Sequence, residues 1–231
     1  MRWTASLLLC LSVAPGLMRA QSFDANLMRE VTLVRAEIAS SVEGLRQYTW
    51  TEQTEVSVGG DVKSTRAFSC HYDSSGQLVK TPLDTNKEAD KASAISKRHS
   101  VRRKADMQDY IERAVNRIHN YVPPDPKQID YLLYNGHASL GQSANANSEI
   151  RFTEYFERGD SFVFTYDSAS KILRRATVAS TLGSPKDPVT LEAVFETLPD
   201  KVNHLSSAIL NAKNKKVVVK TRNLDYRKTA H

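Results

Sequence analysis

The stretch YTWTEQTEVSVGGDVKSTRAFSCHY, residues 48–72, alternates apolar and polar side chains, turns at Gly59-Gly60 and alternates back. A period of two on both sides of a glycine pair predicts a β-hairpin with one apolar face. The apolar positions are even-numbered in both arms: Tyr48, Trp50, Val56 and Val58, then Val62, Phe68, Cys70 and Tyr72. Residues directly opposite each other in an antiparallel pair share a face, so paired numbers must sum to an even value. A loop of Val58-Gly59-Gly60 with Gly60 left-handed meets that condition. It sets Val56 opposite Val62, Thr54 opposite Ser64, Trp50 opposite Phe68 and Glu52 opposite Arg66. The apolar face then carries an ion pair in its middle. Either the pair is structural, part-way down a long strand, or the face lines a cavity in which Arg66 anchors a phosphate or carboxylate.

A second stretch repeats the theme. EYFERGDSFVFTYD, residues 154–167, predicts a hairpin with its loop at 157–159, setting Phe152 opposite Phe164 and Ile150 opposite Tyr166. Glu154 falls on this apolar face, and Arg174 continues it on the next strand with Ile172, Ala176 and Val178. A dry core rarely tolerates charges at two separate places. Trp50, Glu52, Arg66, Phe68, Glu154, Phe164 and Arg174 are therefore the candidate lining of a wet or ligand-holding interior. The RGD at 158–160 reads as a hairpin turn, not as an adhesion motif.

Outward from these hairpins the chain divides clearly. It opens MRWTASLLLCLSVAPGLMRAQS, with Arg2, an apolar run at 5–13, the breakers Pro15 and Gly16, and a small residue at Ala20. That pattern predicts a secretory signal peptide over 1–20, cleaved near Ala20, and a run too short to span a bilayer. A single domain over 21–231 follows. Arg2 and Arg19 belong to the leader, so the formal charge of +6 for the whole chain is milder in the mature part. Nothing in that balance argues for nucleic acid. The mature part keeps one cysteine, Cys70, read as a small buried hydrophobe. No internal disulfide is then available, and the fold must hold by core burial.

Asp24 can cap a first helix with the stripe Leu27, Val31, Val34, Ile38, Val42 and Leu45. Residues 84–103 form a polar, charged segment ending in KRHSVRRK, residues 97–104, which reads as the start of a solvated helix or as a contact with anionic headgroups. A second helix carries Met107, Ile111, Ala114, Ile118 and Tyr121, and VPPDP at 122–126 stops it. Asp125-Pro126 starts a short third helix with Ile129, Leu132 and Leu133, closed by Gly136. A polar loop over 141–148 precedes about six strands joined by short turns, an antiparallel meander.

Catalytic signatures are missing. The six histidines, His71, His99, His119, His137, His204 and His231, sit at no metal-ligand spacing. There is no nucleophile elbow, phosphate loop or dinucleotide fingerprint. The expectation is a non-enzymatic protein with no metal and no cofactor.

One amphipathic helix, long hairpins, two middle helices and a closing meander resemble the LolA/LolB-like periplasmic lipoprotein carriers. The stretches that carry the likeness are LRQYTWTEQTEV, FSCHYDSSGQLV and SFVFTYDSASKILRRATV. The resemblance implies an α+β fold: a strongly curved antiparallel sheet of about nine to eleven strands, a half-open barrel with the helices on its concave face. It also implies a periplasmic or secreted protein holding a lipid or other acyl-chain ligand. The alternative is an envelope interaction module with a closed core and no ligand. Either could meet an envelope protein or membrane surface through Lys97, Arg98, Arg102, Arg103 and Lys104.

Overall fold

The computed structural model describes residues 24–83, 97–143 and 146–229, with side chains from 104 onward in the second of these spans. The expected leader and the first part of the polar segment, 84–96, lie outside the described residues. Three helices and ten strands follow in chain order. They are α1 (Ala25–Leu45), β1 (Tyr48–Val58), β2 (Asp61–Tyr72), β3 (Leu78–Pro82), α2 (Lys97–His119) and α3 (Pro126–Tyr134). Then come β4 (Ala138–Gln142), β5 (Asn147–Thr153), β6 (Ser161–Asp167), β7 (Leu173–Thr181), β8 (Pro188–Thr197), β9 (Asn203–Ala212) and β10 (Val217–Lys228).

Asp24 caps α1 by accepting from the amides of Asn26 and Leu27. Asp125 caps α3 ahead of Pro126 at its first position, and Gly136 takes the left-handed conformation just past its end. The KRHSVRRK run is helical from Lys97, so residues 97–103 of the expected polar loop belong to α2.

All ten strands form one antiparallel sheet in the order β3-β2-β1-β10-β9-β8-β7-β6-β5-β4. The last strand pairs with the first, which joins the N-terminal hairpin to the meander. The chain leaves the sheet at one edge, β3, and re-enters it at the other, β4, so the sheet does not close. Strand β4 was not legible beforehand, since SLGQ does not alternate. It is an edge strand recruited by its pairing with β5 along its whole length.

The helices lie along opposite rims. Helix α2 follows the rim where the β5–β6, β7–β8 and β9–β10 turns gather. Tyr110 donates to Asp187 at 2.6 Å, Arg117 Nε to Ser180 Oγ at 2.9 Å, and Tyr121 to Asp160 at 2.5 Å. Helix α1 follows the other rim, where Glu30 accepts from Tyr166 and Lys171 and Gly44 lies against Val202. One continuous core runs from Leu27, Val31 and Val34, through Tyr110, Ala114 and Ile118, to Phe152, Phe162, Val178, Leu191 and Leu210 on the concave face.

The register of both hairpins corrects the expected one by two residues along the partner strand. Trp50 faces Cys70, Glu52 faces Phe68, Thr54 faces Arg66 and Val56 faces Ser64. The even parity holds, but the loop is the two-residue turn Gly59-Gly60, both left-handed at φ +65° and +96°. A bulge between Val56 and Ser57, with Lys63 as the extra residue, restores the parity that the tight turn would have broken. In the second hairpin Phe152 faces Phe162, and Ile150 faces Phe164.

Candidate functional site

The concave face of the sheet is filled over β5–β9 and open over part of β1–β2, around Val56, Val58 and Phe68. Under the first turns described for α2, an open groove of about 1230 Å³ separates that helix from the hairpin. Val56, Val58 and Phe68 form its sheet wall, and Met107 and Ile111 its helix wall. All five are only half-buried. Alternation puts Val56, Val58 and Phe68 on the same face as the core, while the i, i+4 spacing of Met107 and Ile111 aims both toward them. Val58, Met107 and Ile111 also pack against the edge of the core.

Arg66 and Lys104 bring positive charge to the groove. Arg66 sits opposite Thr54 and is exposed, with no ion-pair partner among the described residues. The expected Glu52–Arg66 pair does not form, because the tighter turn and the bulge together move Arg66 two residues along, opposite Thr54. Glu52 instead takes Lys80 from β3, whose ammonium lies 2.8 and 2.7 Å from the two carboxylate oxygens. The glutamate side chain keeps 13% of its surface and the lysine 40%.

Inward of this pair the interior is solid. Trp50 stacks on Tyr226 with centroids 5.5 Å apart and 15° between planes, and Tyr72 leans on Trp50 at 5.7 Å. Burial drives the Tyr226 and Tyr72 hydroxyls above the usual tyrosine range. Cys70 is fully buried, as expected of a small hydrophobe, and burial pushes its thiol up.

The remaining sequence candidates fall elsewhere. Phe164 is buried in the packed half, 4.4 Å from the Phe162 ring. Glu154 leaves the sheet: β5 ends at Thr153, and Glu154 is left-handed and exposed, 3.7 Å from His137. Arg174 is the extra residue of a bulge between Arg175 and Leu173, half-buried, with Leu173 taking the core position. The hydrogen bonds from Ser170 hold the Asp167 carboxyl low, and the Arg174 charge adds a little to them. The expected Glu154–Arg174 pairing on a shared face is thus corrected on both sides. The RGD segment is a turn: Gly159 is left-handed, and Asp160 is buried, accepting from Tyr121 and from the amides of Phe156 and Glu157.

Sequence reasoning missed a buried acid at the rim followed by α1. Glu30 on α1 is 7% exposed and accepts from Lys171 at 2.7 Å and Tyr166 at 2.9 Å. Burial alone would raise its carboxyl; those two hydrogen bonds and the Lys171 charge bring it below the ordinary range. The available signal was its place in the helix, three residues after Leu27 and four before Val34. Among the described residues no three His, Cys, Asp or Glu side chains gather as metal ligands would. No helix among them is long and apolar enough to cross a membrane.

No protein-family profile matches the chain, and no curated protein does. Solved structures are similar to it in fold. One is a LolA superfamily protein of Nitrosomonas europaea, at 8% identity and TM-score 0.39, covering 85% of this chain and 94% of that one. Another is a putative outer membrane lipoprotein-sorting protein domain of Vibrio parahaemolyticus, at 9% identity and TM-score 0.42, covering 89% and 94%. The functional reading therefore rests on this chain's own residues.

Proposed function

We propose that the protein is a non-enzymatic carrier or sensor of the cell envelope, holding a hydrocarbon chain between the β1–β2 hairpin and α2. The observation that carries this is the groove itself: about 1230 Å³, with half-exposed apolar side chains on both walls and Arg66 beside them. An apolar surface left wet costs roughly 25 cal/mol per Å², so a fold that keeps two such walls apart has a reason to do so. A methylene chain between them would gain that free energy. Arg66 would meet an anionic head group, its planar fork suited to phosphate or carboxylate.

Removal of the leader near Ala20 would place the mature protein in a periplasm or outside the cell. The basic run 97–104 forms the first turns of the helix that walls the groove, and Lys104 is exposed. Positive charge at the mouth favours approach to an anionic membrane surface or an acidic face of an envelope protein.

Two measurements test the reading. Mature protein starting at Gln21, purified from a periplasm and extracted with organic solvent, should release a stoichiometric lipid by mass spectrometry. Arg66→Leu should weaken binding of a single-chain alkyl phosphate about tenfold, the scale of one charge-assisted contact, with an unchanged melting temperature. A clean extract, together with no uptake of a fluorescent fatty acid, would leave the interaction module as the function.

A further inference from the structure

Building on the reading of the groove as a hydrocarbon site, we infer that it measures its ligand. It has a floor, and the floor admits a single chain of about twelve carbons and rejects the rest of a longer one. Three neighbouring strands stop lining the groove within one step of each other. On β1 the lining ends at Thr54, on β2 at Phe68 and on β3 at Pro82. Phe68 and Pro82 pair with each other, and Phe68 pairs with Glu52 on its other side. The next level inward holds Trp50, Cys70 and Lys80. Lys80 reaches back across to Glu52, so an ion pair lies over the step between the two levels.

Two barriers therefore coincide. A methylene pushed past Phe68 would strip water from a charged pair that already has little to spare on the glutamate side. Behind the pair the Trp50–Tyr226 stack and Tyr72 leave no space, because side chains there are close-packed. The apolar stripe of the hairpin continues to Tyr48, but the groove does not.

The depth follows from the register. Val58, at the mouth, and Glu52, at the floor, are six residues apart on β1. That is ~20 Å at ~3.3 Å per residue, and clearance for van der Waals radii leaves room for about twelve extended carbons.

The experiment is a series of single-chain alkyl phosphates of six to eighteen carbons, below their micelle concentrations, titrated into the mature protein. Affinity should tighten about fourfold per added carbon, the equivalent of ~0.8 kcal/mol per buried methylene, up to about twelve carbons and then stay level. Thr54→Trp, which fills the groove one level above the floor at a half-buried position, should move the break about five carbons shorter. The Glu52→Ala/Lys80→Ala double variant removes both charges and should move it longer by only the one or so carbons that the two truncations make room for, because the Trp50–Tyr226 stack stays in place. Tightening that continues to eighteen carbons in the wild type would overturn the floor and leave the proposed function standing. A break that Thr54→Trp does not move would show that the chain does not run along β1, and would also overturn it. Binding of no chain at any length would overturn the proposed function, and the floor with it.

Discussion

The two halves of this sheet begin from the same pattern and end differently. Over β5–β9 the inward residues, among them Phe152, Phe162, Val178, Leu191 and Leu210, lie under side chains from all three helices and are buried. On the β1–β2 hairpin Tyr48, Trp50 and Cys70 are buried, but Val56, Val58 and Phe68, which alternate in the same way, stay half-exposed. The difference lies in the helices. In the packed half, tyrosines of α2 and the chain just after it are both core residues and staples: Tyr110 holds Asp187 and Tyr121 holds Asp160 on the rim turns. Over the hairpin, the apolar side chains that α2 brings among the described residues are Met107 and Ile111, beside Lys104 and Gln108. A staple fixes the distance between helix and sheet; two slender apolar side chains without one do not fill it. An amphipathic sheet face thus becomes core or groove according to what its covering helix brings.

The largest effect should come from emptying the packed half. Phe152→Ala removes a fully buried ring from the middle of the core and should cost about 3–5 kcal/mol in denaturant unfolding. Phe68→Ala, in the groove, should cost under about 1 kcal/mol and act on ligand binding. Equal losses at the two positions would erase the distinction between the halves.

Next in size is the buried acid. Glu30→Leu leaves Lys171 and Tyr166 without their acceptor and should cost about 2–3 kcal/mol, discounted for the partial exposure of Lys171. The pH dependence sharpens this. The Glu30 carboxyl is held below its ordinary value of 4.5, so its contribution is complete above that pH and lost as pH falls through the folded value. The stability difference between wild type and Glu30→Gln should shrink on acidification below about pH 4.5.

At the alkaline end the tyrosines act in the opposite sense. Burial first, then the hydrogen bonds to Asp187 and Glu30, push Tyr110 and Tyr166 up to about 12; burial takes Tyr155 there as well. Their protonated form is the native one, so the stabilisation is complete below pH 10 and is lost as pH rises toward 12. Urea titrations across that range should show the decline. Tyr110→Phe should soften it by removing one of the groups that titrate. The smallest effect is expected at the groove floor: Glu52→Gln should change stability by less than about 1 kcal/mol, because Lys80 remains well solvated.

Much of the architecture was legible because it rests on local chemistry. Asp24 and Asp125-Pro126 announced two helix starts, and period-two alternation announced both long hairpins. The register was less so. The even parity of the first hairpin was right, but a two-residue turn plus a bulge satisfies it as well as a three-residue loop does, and the two differ by two residues. That shift separated Glu52 from Arg66 and reassigned the glutamate to a lysine on β3. Glu154 and Arg174 were misplaced for the same reason, since a strand end and a bulge each reset the face on which a residue falls.

The sequence by itself determined which residues form helices, which form strands, and which side of each strand is apolar. These are properties of spacing along a few residues, set by backbone geometry and the side chains' own preference for water or oil. Only the tertiary structure decided that β1 joins β10, that Glu30 is buried, and that the hairpin's apolar face borders a groove instead of a core. Each of those depends on the volume and reach of side chains far away in the chain. A pattern of period two cannot record how large the residues on an opposing helix are, or how far away that helix is held.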